Sequence, residues 1–400
     1  MSAPSVPPLT PLELASGLVL GNGRPLPDLP TETPPVAPLA ALERAVLPAL
    51  RRPPCLVSFS GGRDSSAILA VATVLARREG LPLPIPATNR FPSTDGTRET
   101  EWQERVIRHL GIEDWIRRDF THELDCVGPV AARVLERHGV LWPCNTHFHD
   151  PLFEAAAGGS VLTGIGGDEA FMSPSRSSYL AVLRGRRSPR PRDVLRVGFA
   201  LAPQALRRRV IERRFPRVCW WLRPGALREI RAAIALEASR EPLGWRARYR
   251  WIHGLHYLRV GLGSLSLLAH DHDVLAVHPF ARAEFLAALA ALPRSHRFDS
   301  RNAAMEAVFG KRLPPELHTR STKAQFDGAF WNDHSRDLVA RWGGEGVDTD
   351  FVDVDVLREV WTSPAPDARS FPLLQAVWLA VEGRRDRSAE PVEQELHGVV

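Results

Sequence analysis

Lysine is almost missing from this chain. Of 51 basic residues in 400, only Lys311 and Lys323 are lysine, and 49 are arginine. The bias reads as codon composition, so a lysine kept against it is a better candidate for chemistry than any one arginine. Cysteine is scarce too. Cys55, Cys126, Cys144 and Cys219 are scattered, with no C-x-x-C, which argues against a disulfide framework and for a reducing, cytoplasmic setting. No run of 18 apolar residues occurs, so no transmembrane helix is predicted and no membrane partner is expected. The opening "MSAPSVPPLT" lacks the basic start and apolar core of a signal peptide. There is no G-x-x-x-x-G-K-S/T, hence no Walker A loop, and no G-x-G-x-x-G follows a strand. "CNTHFHD" (Cys144–Asp150) gathers metal-ligating residue types, but without a second half it reads as core and surface histidines.

What is present is ordinary for a soluble globular protein: 44% hydrophobic and 24% charged residues. Residues 1–40 are proline-rich and aperiodic, an irregular lead-in. Apolar spacing predicts a helix over Leu39–Arg52, a buried strand over "CLVSF" from Cys55, and a helix from Ser65 to Gly80. Leu81–Phe91 is a poorer strand, broken by prolines, and Thr97–Gly111 is an amphipathic helix. A helix end over "FHDPLFEAAAGG" precedes another short strand, "SVLTG". Strands alternating with helices predict an α/β fold with a doubly wound parallel sheet. The pattern from Trp220 to about Leu292 is helical, and the polar tail after Arg384 is expected to fray. The organisation expected is a lead-in over 1–40, a nucleotide-binding domain over 41–335, and a helical extension with polar tail over 336–400. Within the domain, residues 181–231 carry 15 arginines against three acids, a local charge of +12 where the whole chain carries +5. They form either a solvated helical insertion or a docking surface for an acidic peptide or a nucleic acid.

Two polar knots interrupt the apolar pattern. In "LVSFSGGRDSSAILAVA" (Leu56–Ala72), a strand stops at a glycine turn and continues as a helix. That geometry aims backbone N–H groups and the positive helix end at one point, where phosphate binds. Gly61 and Gly62 permit close approach, and Ser58, Ser60, Ser65 and Ser66 add hydroxyls. Asp64 would repel bare phosphate, so it points to magnesium between carboxylate and phosphates; otherwise it sits at a helix N-cap. "VLTGIGGDEAF" (Val161–Phe171) repeats the design and offers Asp168 and Glu169. In a doubly wound sheet both turns border one crevice, where Asp64 and Asp168 could share a metal.

With these motifs in hand, the chain resembles a known family. "SFSGGRDSS" looks like the pyrophosphate loop of the N-type ATP pyrophosphatases, and "TGIGGDEAF" resembles the second signature of asparagine synthetase C-terminal domains. "VHPFARAEFLAALAALP" is similar to that family's "PFLD" segment, and "LPPELHTRSTKAQFDGAFW" to its final lysine motif. The four come in family order over roughly residues 40–335. β-Lactam synthetases and lasso peptide macrolactam synthetases share the domain. The resemblance implies that magnesium-ATP adenylates a carboxylate, after which an amine attacks the acyl-adenylate and AMP leaves. Carried over by position, Ser60, Gly61, Gly62, Asp64 and Ser65 hold pyrophosphate, and Asp64 and Asp168 bind Mg2+. Thr163 and Gly164 lie near the nucleotide, Leu56 and Val57 flank adenine through their backbone, and Lys323 meets the phosphate and the oxyanion.

The chain also departs from the family. Ser2 stands where glutamine-dependent members carry a nucleophilic cysteine, and about 50 residues of lead-in cannot house their amidase domain, so no glutaminase activity is expected. Ile165 replaces the glutamate or tyrosine that assists amine deprotonation, and isoleucine cannot move a proton. Glu169, Glu99 or Glu101 must do so, or the protein is impaired. "PFAR" also stands in place of "PFLD". The expected function is an AMP-forming amide ligase using ATP and Mg2+. Its substrates are aspartate with ammonia, or a peptide or secondary metabolite that supplies its own amine, with a precursor peptide or partner protein on the basic insertion. The alternatives are a tRNA-modifying ATP pyrophosphatase, disfavoured by the second signature and the lysine motif, and a nucleotide-binding homologue without turnover.

Overall fold

Among the described residues, five short strands organise the fold: β1 (Cys55–Ser58), β2 (Ile85–Arg90), β3 (Ile116–Asp119), β4 (Ser160–Leu162) and β5 (Leu275–Val277). They lie in the order β3-β2-β1-β4-β5, and every neighbouring pair is parallel. The computed structural model describes residues 6–389 apart from 24, 95–98, 172–184, 186, 187, 189, 215–217, 299 and 321–326. Successive side chains of a strand point to opposite faces. Val57, Leu162 and Val277 enter one core with the helices Pro38–Leu50, Arg63–Glu79 and Ala283–Ala291. Leu56, Ala87 and Val161 enter the other with Pro129–His138, Asp150–Ala155 and His256–Asp271. Both faces are covered, as the alternation of strands and helices predicted.

The helix Arg63–Glu79 shows why these residues fold as they do. Ala67–Ala72 are all buried, the mark of a helix enclosed on every side. It ends at Gly80, which takes a left-handed φ of 65°. Asp64 in the first turn and Arg77 and Arg78 in the last complement the helix dipole.

The sequence reading missed several elements, among them β5, β3 and a helix in the lead-in. Residues 220–292 are helical in four stretches but also contain β5, and a three-residue apolar strand has no period to distinguish it from a buried helix. β3 alternates half-buried and exposed residues at the sheet edge and was not predicted. The lead-in holds a six-residue helix, Pro11–Ser16, with a complete capping box from Thr10 and Glu13. Its Ala15 carbonyl accepts a bond of 2.8 Å from Trp221 Nε1. There it joins a further core, separate from the two on the sheet faces and built around Trp221, Trp331, Trp342, Trp361 and Phe371. β2 runs unbroken, with Pro86 opposite Val57.

Within the arginine-rich segment, the helices Pro191–Leu201 and Gln204–Arg214 are described. Val194, Leu195, Leu201 and Leu206 project from them into solvent, each more than half exposed. Among the described residues, no helix is long and apolar enough to cross a membrane.

Candidate active site

The strand order reverses direction between β1 and β4, and both strands end at glycine-rich turns on the same edge of the sheet. In open parallel sheets ligands bind at that switch point. A cavity of about 460 Å³ opens there, of the size that small-molecule sites have. Ser58, Ser60, Asp64 and Ser65 line it from the first turn, and Thr163 to Glu169 line it from the second. Trp142, Pro143, Leu258, Leu262 and Leu265 form an apolar wall.

The first turn is braced from within and from behind. Ser60 Oγ and Ser65 Oγ are 3.1 Å apart, and Gly62 N–H donates to Ser60 Oγ at 3.3 Å. Gln103 Nε2 donates to the Ser60 carbonyl at 3.1 Å, and Arg320 Nη1 to the Gly61 carbonyl at 2.9 Å. Gly61 has a φ of 81°, and a Cβ there would lie 2.6 Å from Gln103 Cγ, so only glycine fits. The second turn presses on the first. A Cβ on Gly164 would lie 2.7 Å from Ser65 N and 2.8 Å from the Asp64 carbonyl carbon, and one on Gly167 would strike the Asp64 carboxylate. The glycines let the two backbones touch.

Asp64 and Asp168 are thereby brought together, and Arg301 joins them. Its Nη2 donates to both oxygens of Asp64 at 2.6 and 2.5 Å, and its Nη1 donates to Asp168. Burial raises the Asp64 pKa and Arg301 opposes the rise, while Asp168 adds to it. Burial would lower the Arg301 pKa, but the two carboxylates more than offset it. Two carboxylates already sharing one cation, beside the first-turn N–H groups of a 17-residue helix, form an oxygen donor set that fits a hard divalent cation bound with phosphate.

The other anticipated residues divide. Glu169 lines the cavity, and its Oε1 accepts from Tyr257 Oη at 2.7 Å. Burial and Glu169 together raise the tyrosine pKa. Thr163 Oγ1 lies 2.7 Å from Nδ1 of His278, a buried imidazole whose pKa burial pushes down to about 3. Ile165 also lines the cavity, while Glu99 is buried against Arg320, away from it. Leu56 and Val57 do not reach the cavity wall. Their side chains are buried in opposite cores, and β2 and β4 flank them on either side. Lys323 lies outside the described residues, although Arg320 just before it is anchored on the first turn. Each ring nitrogen of His147 lies 3.1 Å from a carbonyl oxygen, of Cys144 or Leu124, and no group of three or more His, Cys, Asp or Glu side chains that could hold a metal is found among the described residues. Arg301 and Tyr257 carried no sequence signal.

The asparagine synthase family model matches residues 39–382, which is most of the chain. The chain belongs to the asparagine synthase family. No curated protein matches it significantly. Family membership makes it one of a group of ATP-dependent amide ligases. The match reaches past residue 335, through the helices Asp333–Arg341 and Val354–Thr362 and into Phe371–Ala389.

Proposed function

We propose that this member of the family joins a carboxylate to an amine in two steps. The carboxylate displaces pyrophosphate from ATP to give an acyl-adenylate. The amine then attacks the acyl carbon, loses a proton and expels AMP. The observation that carries the proposal is the contact of the two glycine turns, which sets Asp64 and Asp168 around one cation at the mouth of a helix N-terminus.

Ser60, Gly61, Gly62 and Ser65 would cradle the pyrophosphate end through hydroxyls and backbone N–H groups. Asp64 and Asp168 would hold magnesium, which neutralises charge on the phosphates when bound. Lys323 stands three residues beyond Arg320, whose guanidinium is fixed on the Gly61 carbonyl. Three extended residues span about 10 Å, enough for the Lys323 ammonium to meet the charge that develops at the acyl centre. Glu169 takes the amine proton in place of the base that Ile165 lacks, and Tyr257 fixes one of its oxygens. The substrate is a peptide or a secondary metabolite carrying its own amine. An acidic precursor peptide or partner protein docks on the basic helices Pro191–Leu201 and Gln204–Arg214, where arginines flank exposed apolar side chains.

The test is ATP–pyrophosphate exchange over a panel of amino acids and peptides. Exchange by the wild type, falling at least about a hundredfold in Asp64→Asn and in Asp168→Asn, is the expected result. Full exchange in either variant, or release of ADP instead of AMP, overturns the proposal.

A further inference from the structure

Arg301 is held between two carboxylates in a place that otherwise disfavours a cation. It is the first residue of the helix Arg301–Phe309, whose N-cap Ser300 accepts from Ala303 N–H at 3.1 Å. A cation at that end opposes the helix dipole. Arg63 stands close enough for the two arginines to repel, and it donates to the neighbouring Asn302 at 2.9 Å. Arg301 Nε is buried without a hydrogen-bond partner among the described residues. Against these costs, its two Nη groups make the bonds to Asp64 and Asp168.

We infer that Arg301 is a built-in counter-cation, filling the place between Asp64 and Asp168 until a divalent cation arrives together with nucleotide phosphate. The inference rests on the proposed metal role of these carboxylates. Guanidinium and metal cannot both sit between them, because each would be a positive charge in the same small space. A free divalent cation must displace charge-assisted bonds to both carboxylates and brings no anion of its own for the departing guanidinium. A cation carried on a triphosphate brings extra oxygen ligands, and its phosphates offer the departing guanidinium an anion. Metal and nucleotide therefore strengthen each other's binding by the same factor.

The experiment measures Mn2+ binding by electron paramagnetic resonance on the full nucleotide-free chain. The proteins are wild type, Arg301→Gln, Arg301→Lys and the double variant Arg301→Gln/Asp64→Asn. Arg301→Gln is expected to bind Mn2+ about tenfold or more tighter than wild type, a usual size for coupling between sites. Adding Asp64→Asn removes the gain. Arg301→Lys falls between, because a single ammonium does not match the two-armed fork, and it carries the test if Arg301→Gln fails to fold by circular dichroism. Adenosine 5′-(α,β-methylene)triphosphate narrows the gap between wild type and variant. Equal Mn2+ affinity in wild type and Arg301→Gln overturns the inference, and so does a gain that survives Asp64→Asn. The expected Mn2+ pattern without exchange on any carboxylate would instead overturn the ligase proposal and leave the counter-cation role standing.

Discussion

Replacing Gly164 by alanine tests whether the two glycine turns must touch. The added Cβ would sit 2.7 Å from Ser65 N, about 0.7 Å short of the 3.4 Å at which ordinary contact begins. The two nearest obstacles, Ser65 N and the Asp64 carbonyl carbon, are backbone, and the third, Asp64 Cβ at 3.0 Å, is fixed to it, so no side-chain rotation relieves the clash. The second turn must then back off the first by several tenths of an ångström, carrying Asp168 and Glu169 with it. Overpacking of this kind costs about 1–3 kcal/mol. For 400 residues the entropy of unfolding is about 0.8 kcal/mol per degree, so Tm falls by only about 1–4 °C. Function suffers more, since a misplacement of about 1 Å can cost about a hundredfold. ATP–pyrophosphate exchange should therefore fall by about 10- to 100-fold while the protein remains folded at 25 °C. Gly225→Ala is the control. A Cβ there meets nothing within 4 Å, in the first turn of the helix Pro224–Arg240, so exchange and Tm should stay put. Exchange within about twofold of wild type in Gly164→Ala, well under the loss expected from such a displacement, would refute the claim that backbone contact between the turns assembles the site.

Other outcomes follow from the same geometry. Glu99→Ala leaves the Arg320 guanidinium buried without its carboxylate, at a cost of about 3–5 kcal/mol; Tm should drop by about 4–6 °C, and Glu99→Ala/Arg320→Met should recover part of it. His278 is held far below the ordinary imidazole pKa by burial, at about 3, so its contribution to stability is complete above about pH 6.5 and drains away as pH falls towards 3. At about 1.4 kcal/mol per pH unit, the Tm loss between pH 6.5 and 5 should be about 2–3 °C smaller in His278→Gln than in wild type; equal losses would mean that His278 does not govern the acid limb. Lys323→Ala should bind ATP within a fewfold of wild type yet turn over at least about a hundredfold more slowly, whereas Lys311→Ala should match wild type; equal turnover in the two would remove Lys323 from the site.

What could be read beforehand was local. Ser60–Ser65 and Thr163–Glu169 announce themselves because a glycine turn between an apolar strand and a helix is written in consecutive letters. The strand–helix alternation gives the doubly wound class for the same reason. Arg301 was invisible, being one of 49 arginines, brought to Asp64 across 237 positions of chain by packing that no short pattern encodes. Tyr257 was hidden in a mostly apolar helix that reads as a core element. Glu99 was weighed as a base beside Glu169 and Glu101, and burial against Arg320 ties it up instead. β5 escaped because three residues are too few to show a period.

The strand order also sets a timetable for synthesis. β1, β2 and β3 leave the ribosome in succession and can pair as they appear, but β4 waits for its outer neighbour through the 112 residues that separate Leu162 from Leu275. At about 5–20 residues per second, that gap lasts about 6–22 s. For that interval the nascent sheet ends in an open apolar edge, the kind of surface on which a second nascent chain can add a strand. β4 is only Ser160–Leu162, so it offers a stray chain very few hydrogen-bonding groups. Its brevity makes β4 a safe edge to leave waiting.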